Sequence, residues 1–221
     1  DRLAFLRFGT AEDLGAYSLG LMAAGLVLYL PEAAAAVLYP RIAAAAEGAI
    51  DPATVRAQVR RAQRALAVLL PPAVAVAMVW VGPALAAWMP RYGGATGAVR
   101  LLAVGALLLS ASTLPGYWLL GSGRGRTLLA AGLAATAAAA ALVFGVASRA
   151  PFPAPVAAAS SAGYGLFAAA IVAAASRDLA DGPGGRWGFT LLSFLPAAWA
   201  SAAVLVACRW GGEASAATAL L

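Results

Sequence analysis

LGAYSLGLMAAGLVLYLPEAAAAVLYPRIAAAAEGAIDPATVRAQVRRAQR, Leu14–Arg64, is the stretch that decides the fold. It contains an apolar run long enough to cross a bilayer as a helix, which takes about 20 residues for about 30 Å of hydrocarbon. The run holds one acid, Glu32, directly after Pro31, and is expected to stop at Tyr39-Pro40-Arg41. An arginine-studded segment follows. Asp51 suits an N-cap and Pro52 the first helical position, while Val55, Val59 and Ala62 recur at helical spacing opposite Arg56, Arg60, Arg61 and Arg64. That pattern predicts a cytoplasmic amphipathic segment at 51–64 running into the next span. Two roles fit it, an anchor on anionic headgroups or a contact with a phosphate-bearing substrate.

The rest of the chain repeats this logic. Six apolar runs can be marked, at about 15–39, 66–89, 96–120, 128–147, 155–176 and 187–208, separated by turns rich in Gly, Pro and Arg. With 63% hydrophobic and 11% charged residues in 221, the chain is expected to be an all-α polytopic membrane bundle of about six transmembrane helices. The domain reading is a helix end and outer loop at 1–13, a transmembrane lobe at 14–210 and a C-terminal tail at 211–221. The abrupt opening suggests a piece of a longer protein.

Charge sets the expected orientation. The turns after the first, third and fifth runs hold Arg41, Arg56, Arg60, Arg61, Arg64, Arg124, Arg126, Arg177 and Arg186. The opposite side holds Arg2, Arg7, Arg91, Arg100, Arg149 and Arg209. The richer side is therefore expected to be cytoplasmic. A net charge of +6 does not point to nucleic acid, because the arginines lie in short loops between apolar runs. Membrane lipids are the expected partners of these loops.

Site chemistry is sparse. There is no histidine and a single cysteine, Cys208, which removes imidazole catalysis, disulfides and thiolate metal sites. No nucleophile elbow and no phosphate loop is present, so no catalytic residue, metal or cofactor is expected. Gly121–Arg126 is glycine-rich but lacks a phosphate-loop lysine and reads as a tight cytoplasmic turn. Glu32 is the one carboxylate deep in a run. Such acids usually face a bundle interior or a watery cavity and mark a substrate or ion pathway, although pairing with an arginine or an offset span would also explain it. Arg100, opening the third run, could hold a diphosphate bidentately or snorkel to headgroups. Arg41 could meet phosphate at the cytoplasmic mouth or anchor the helix end.

The opening DRLAFLRFGTAEDLGAYSLGLMAAG resembles the start of the second half of bacterial polysaccharide and O-antigen flippases, through Asp1, Arg2, Leu14, Gly15, Tyr17 and Ser18. VLYPRIA resembles the V-L-x-P-R-x-S helix end of that group and of its lipid II flippase relatives, with alanine in place of serine. WMPRYGGA at 88–95 and the glycine-arginine turn at 123–126 are also similar, and the likeness extends over about 1–176. The resemblance implies an exporter of the multidrug, oligosaccharidyl-lipid and polysaccharide superfamily in a bacterial inner membrane. It implies a two-lobe fold with alternating access, this chain being the C-terminal lobe and a missing N-terminal lobe its partner. The implied cargo is a lipid-linked diphosphate oligosaccharide. The alternatives are a multidrug or toxin antiporter of the same fold, and a non-transporting membrane scaffold or enzyme subunit.

Overall fold

The computed structural model describes residues 2–150, 152–182, 184–199 and 202. The tail at 211–221, the end of the sixth run, Cys208 and Arg209 lie outside the described residues. Those described form helices joined by short turns, with no strand among them. In chain order the helices are α1 (Arg2–Phe8), α2 (Ala11–Ala46), α3 (Pro52–Trp88), α4 (Thr96–Ser110), α5 (Thr113–Gly121), α6 (Gly125–Ala147) and α7 (Pro153–Leu179). A 3-10 turn at Pro90–Ala95 leads into α4, and residues 184–199 form a further helix. Among the described residues five stretches are long and apolar enough to cross a membrane, with α4 and α5 together forming one of them. The chain is a multi-pass membrane protein.

Local chemistry starts α2 and α3. Thr10 and Asp13 form a capping box at the head of α2, each side chain receiving the other's backbone N–H. Asp51 caps α3 as its sequence predicts, accepting from Ala53 N at 3.2 Å and Thr54 N at 3.0 Å, with Pro52 in the first turn. The Thr54 hydroxyl, at 2.7 Å, is the largest influence holding the Asp51 carboxyl below the usual carboxylate range; the two backbone amides add to it.

The expected stop at Tyr39-Pro40-Arg41 is corrected: α2 passes through Pro40 and ends only at Ala46. A proline removes one hydrogen bond but ends a helix only if the following residues leave it. Here Ala43–Ala46 continue with the best helix former, which carries α2 past Pro40. At 36 residues α2 measures about 54 Å, so it overruns the hydrocarbon, as α3 does with 37. Gly48, at φ +79°, provides the left-handed backbone that turns the chain back.

Two principal apolar clusters hold the bundle. One joins α2, α3, α5 and α7 through Ile42, Val59, Leu114, Leu119 and Ile171. The other joins α1, α2, α4 and α7 around Phe5, Tyr17, Leu102 and Val156. Inside the second, the Tyr17 hydroxyl lies 2.8 Å from Ser160 Oγ. Small residues set the spacing: a Cβ on Gly105 would lie 2.8 Å from the Ser161 Cα, so α4 and α7 touch backbone to backbone. The α4–α5 span is the most enclosed of the five and α6 the most peripheral.

The turns alternate between two ends of the bundle. At one end Arg60 pairs with Asp181 and Arg124 with Asp178, joining α3, the α5–α6 turn and the end of α7. At the other, Glu12, Arg91 and Pro153 line one cavity. The turns read from the sequence as arginine-rich are thus gathered at the end that carries the ion pairs.

Candidate functional site

Glu32 stands on the exposed flank of α2 and is not enclosed in the bundle. The reason is angular. The buried stripe of α2 runs through Ala24, Pro31, Ala35, Leu38 and Ile42, and one residue's step of about 100° turns Glu32 away from it. Glu32 lines a groove of about 360 Å³ whose other polar walls are Ser112, just before α5, and Thr113 and Tyr117 of α5, with Phe167 and Ile171 of α7 behind them. Tyr39, two turns from Glu32 along α2, meets the Tyr117 ring edge-on at 5.8 Å. Glu32 therefore shares this groove with Ser112, Thr113, the Tyr117 phenol and the Phe167 ring, and no arginine lines it among the described residues.

Ser112 and Thr113 border the groove at a break in the third span, a departure from the continuous run expected at 96–120. α4 ends at Ser110 and α5 begins at Thr113. Pro115 has no N–H for the Ala111 carbonyl four residues before it. Instead Gln63, 2% exposed within α3, donates its Nε2 to that carbonyl at 3.0 Å. The same nitrogen lies 3.3 Å from Ser193 Oγ, drawing the helix at 184–199 to the break. Ser110 and Ser112 turn their hydroxyls back onto Leu107 O and Leu109 O. Gln63 escapes a local reading because it lies in an arginine-rich segment and its acceptor is 48 residues away. The available signal is Pro115 inside an apolar run, which marks an orphaned carbonyl without naming its donor.

The predicted arginines do not join Glu32. Arg41 donates to Gln58 Oε1 at 3.2 Å, tying the overrun of α2 to that of α3. Arg100 is half-buried against α3 and donates Nε to Met78 O at 3.1 Å, beside Gly82. In the basic segment, Arg60 holds Asp181 and the Leu179 carbonyl. Arg61 and Arg64 are exposed, and Arg56 is half-buried with its Nε unpartnered among the described residues. Asp178 and Asp181 are the partners of Arg124 and Arg60. No group of three or more metal-ligating side chains occurs among the described residues.

Comparisons with protein-family models, with curated proteins and with solved structures found no match.

Proposed function

We propose that this chain is one lobe of a membrane exporter, and that the groove at Glu32 lies on the path of its cargo. The observation that carries the reading is the position of Glu32: a carboxylate within a membrane-spanning helix, facing a groove lined by Ser112, Thr113 and Tyr117. Charged groups at such depth are expensive unless water or a polar partner meets them. A span broken at Ala111–Ser112 beside the same groove fits a transporter, because interrupted helices line the sites of alternating-access proteins.

The cargo we propose is a lipid-linked oligosaccharide, in accord with the resemblance to polysaccharide flippases; the setting is a bacterial inner membrane, with the arginine-rich end cytoplasmic and a second lobe completing the pathway. The groove suits the sugar. Its acid and hydroxyls can hydrogen-bond to sugar hydroxyls and its tyrosine can stack on a sugar face, whereas a diphosphate would be repelled by Glu32. The diphosphate would meet the arginines near the mouth, with Arg41 the nearest along α2. The chain performs no covalent chemistry in this reading.

An acid without a groove arginine is also what an organic-cation antiporter would present, and this favours that second reading over a scaffold or an enzyme subunit. Proteoliposomes carrying the full-length exporter separate the two. A fluorescent lipid-linked oligosaccharide is expected to cross the bilayer, and Glu32→Gln to slow it several-fold at an unchanged protein level. Proton-driven uptake of an organic cation with no oligosaccharide transfer would replace the first reading by the second. Transfer undiminished in Glu32→Gln would remove the groove from the path.

A further inference from the structure

The end of the bundle away from the paired arginines carries a separate cavity. There the first turn of α2 and the turn after α3 enclose a cavity of about 430 Å³, lined by Glu12, Asp13, Gly15, Arg91, Tyr92 and Pro153 among others. Asp13 is committed to the α2 capping box, receiving Thr10 N at 3.2 Å and the Thr10 hydroxyl at 2.6 Å. Glu12 and Arg91 are both exposed and border the same cavity, yet no ion pair joins them. The ion pairs among the described residues are Arg60–Asp181 and Arg124–Asp178.

A cavity of this size walled by opposite charges that do not neutralise each other complements a ligand bearing both charges a short distance apart. Its position names the class. The cavity sits at the ends of two membrane-spanning helices and is lined by Tyr92, and Trp88, three residues before Arg91, is exposed; both residue types collect at headgroup level. We propose that it binds the phosphoethanolamine headgroup of a membrane phospholipid. The phosphate would lie on the Arg91 guanidinium, which offers a fork of donors, and the ammonium on the Glu12 carboxylate. A primary ammonium has three N–H donors for Glu12, whereas a choline headgroup has none and a glycerol headgroup brings no positive charge. Phosphatidylethanolamine should therefore be preferred over phosphatidylcholine and over phosphatidylglycerol. This inference does not depend on the transport reading, since the cavity is remote from Glu32.

The test is thermal unfolding of the chain in nanodiscs of phosphatidylcholine alone, with added phosphatidylethanolamine, and with added phosphatidylglycerol. The ethanolamine lipid is expected to raise the midpoint by a few degrees and the other two compositions to leave it unmoved. Glu12→Gln and Arg91→Gln should each abolish that lipid-dependent difference, whatever they do to the midpoint in phosphatidylcholine. The same rise with phosphatidylglycerol would reduce the site to general anion attraction and overturn the proposal. A full rise from soluble phosphoethanolamine in phosphatidylcholine discs, or a difference that survives both substitutions, would overturn it as well.

Discussion

Gly105→Val is expected to yield no monodisperse folded protein, and Gly105→Ala a protein destabilised by about 1–3 kcal/mol, the usual cost of overpacking a tight contact. The first added carbon would lie 2.6 Å from Ser161 Oγ, 2.8 Å from its Cα and 2.9 Å from its Cβ. A flexible side chain could swing clear, but a backbone atom cannot. α4 and α7 would have to separate, and the bond from the Ser161 hydroxyl to the Leu101 carbonyl, now 2.6 Å, would lengthen with them. Gly25 supplies the control, since a Cβ there meets nothing within 4 Å and Gly25→Ala should be neutral or mildly stabilising. Thermal unfolding in detergent checks both. Equal midpoints for Gly105→Ala and Gly25→Ala would mean that α4 and α7 do not pack at this distance.

Gln63→Leu is expected to cost about 1–3 kcal/mol, the penalty of leaving one buried polar group unpaired. The group is the Ala111 carbonyl, which Pro115 deprives of its helical donor and Gln63 Nε2 satisfies. This assignment makes a demand that a packing defect would not. Pro115→Ala restores an N–H four residues after Ala111, so in the Gln63→Leu background it should recover most of the lost stability. In the wild-type background, where the carbonyl already has a donor, the same change should gain much less. A double-mutant cycle of unfolding free energies measures the difference. Strict additivity would show that Gln63 does not serve the carbonyl that Pro115 orphans.

What the sequence makes legible, and what it hides, divides by range of interaction. The apolar runs, the Asp51-Pro52 start of α3 and the turn at Gly123, with φ +76°, are written locally and can be read locally. Pro40 misleads because a proline removes one hydrogen bond without ending a helix whose following residues, Ala43–Ala46, are strong helix formers. The broken third span is hidden in part: Pro115 is visible, but the compensating amide comes from Gln63 on another helix. The pair Arg60–Asp181 spans 121 positions and Arg124–Asp178 spans 54, so arginines that read as topology signals also clasp three segments together.

The candidate site divides in the same way. Glu32 stands out in the sequence because a lone acid in an apolar run is conspicuous. Its neighbours Ser112, Thr113 and Tyr117 do not, because hydroxyl residues are common near helix breaks and only tertiary packing brings these to the α2 flank. Arg100 fits its sequence pattern equally well as a diphosphate ligand or as a cation snorkelling to headgroups, and the sequence does not announce the bond of its Nε to the Met78 carbonyl on α3.

In the proposed exporter the flank of α2 bearing Glu32 meets a water-filled path, whereas the exposed Val68 of α3 meets lipid. Single cysteines at position 32 and at position 68, each with Cys208→Ala, put this to a direct measurement in intact membranes treated with a charged thiol reagent. The account predicts rapid labelling at position 32, slowed by cargo, and none at position 68. Protection of position 32 to the same degree as position 68 would place Glu32 against lipid or protein and contradict the account.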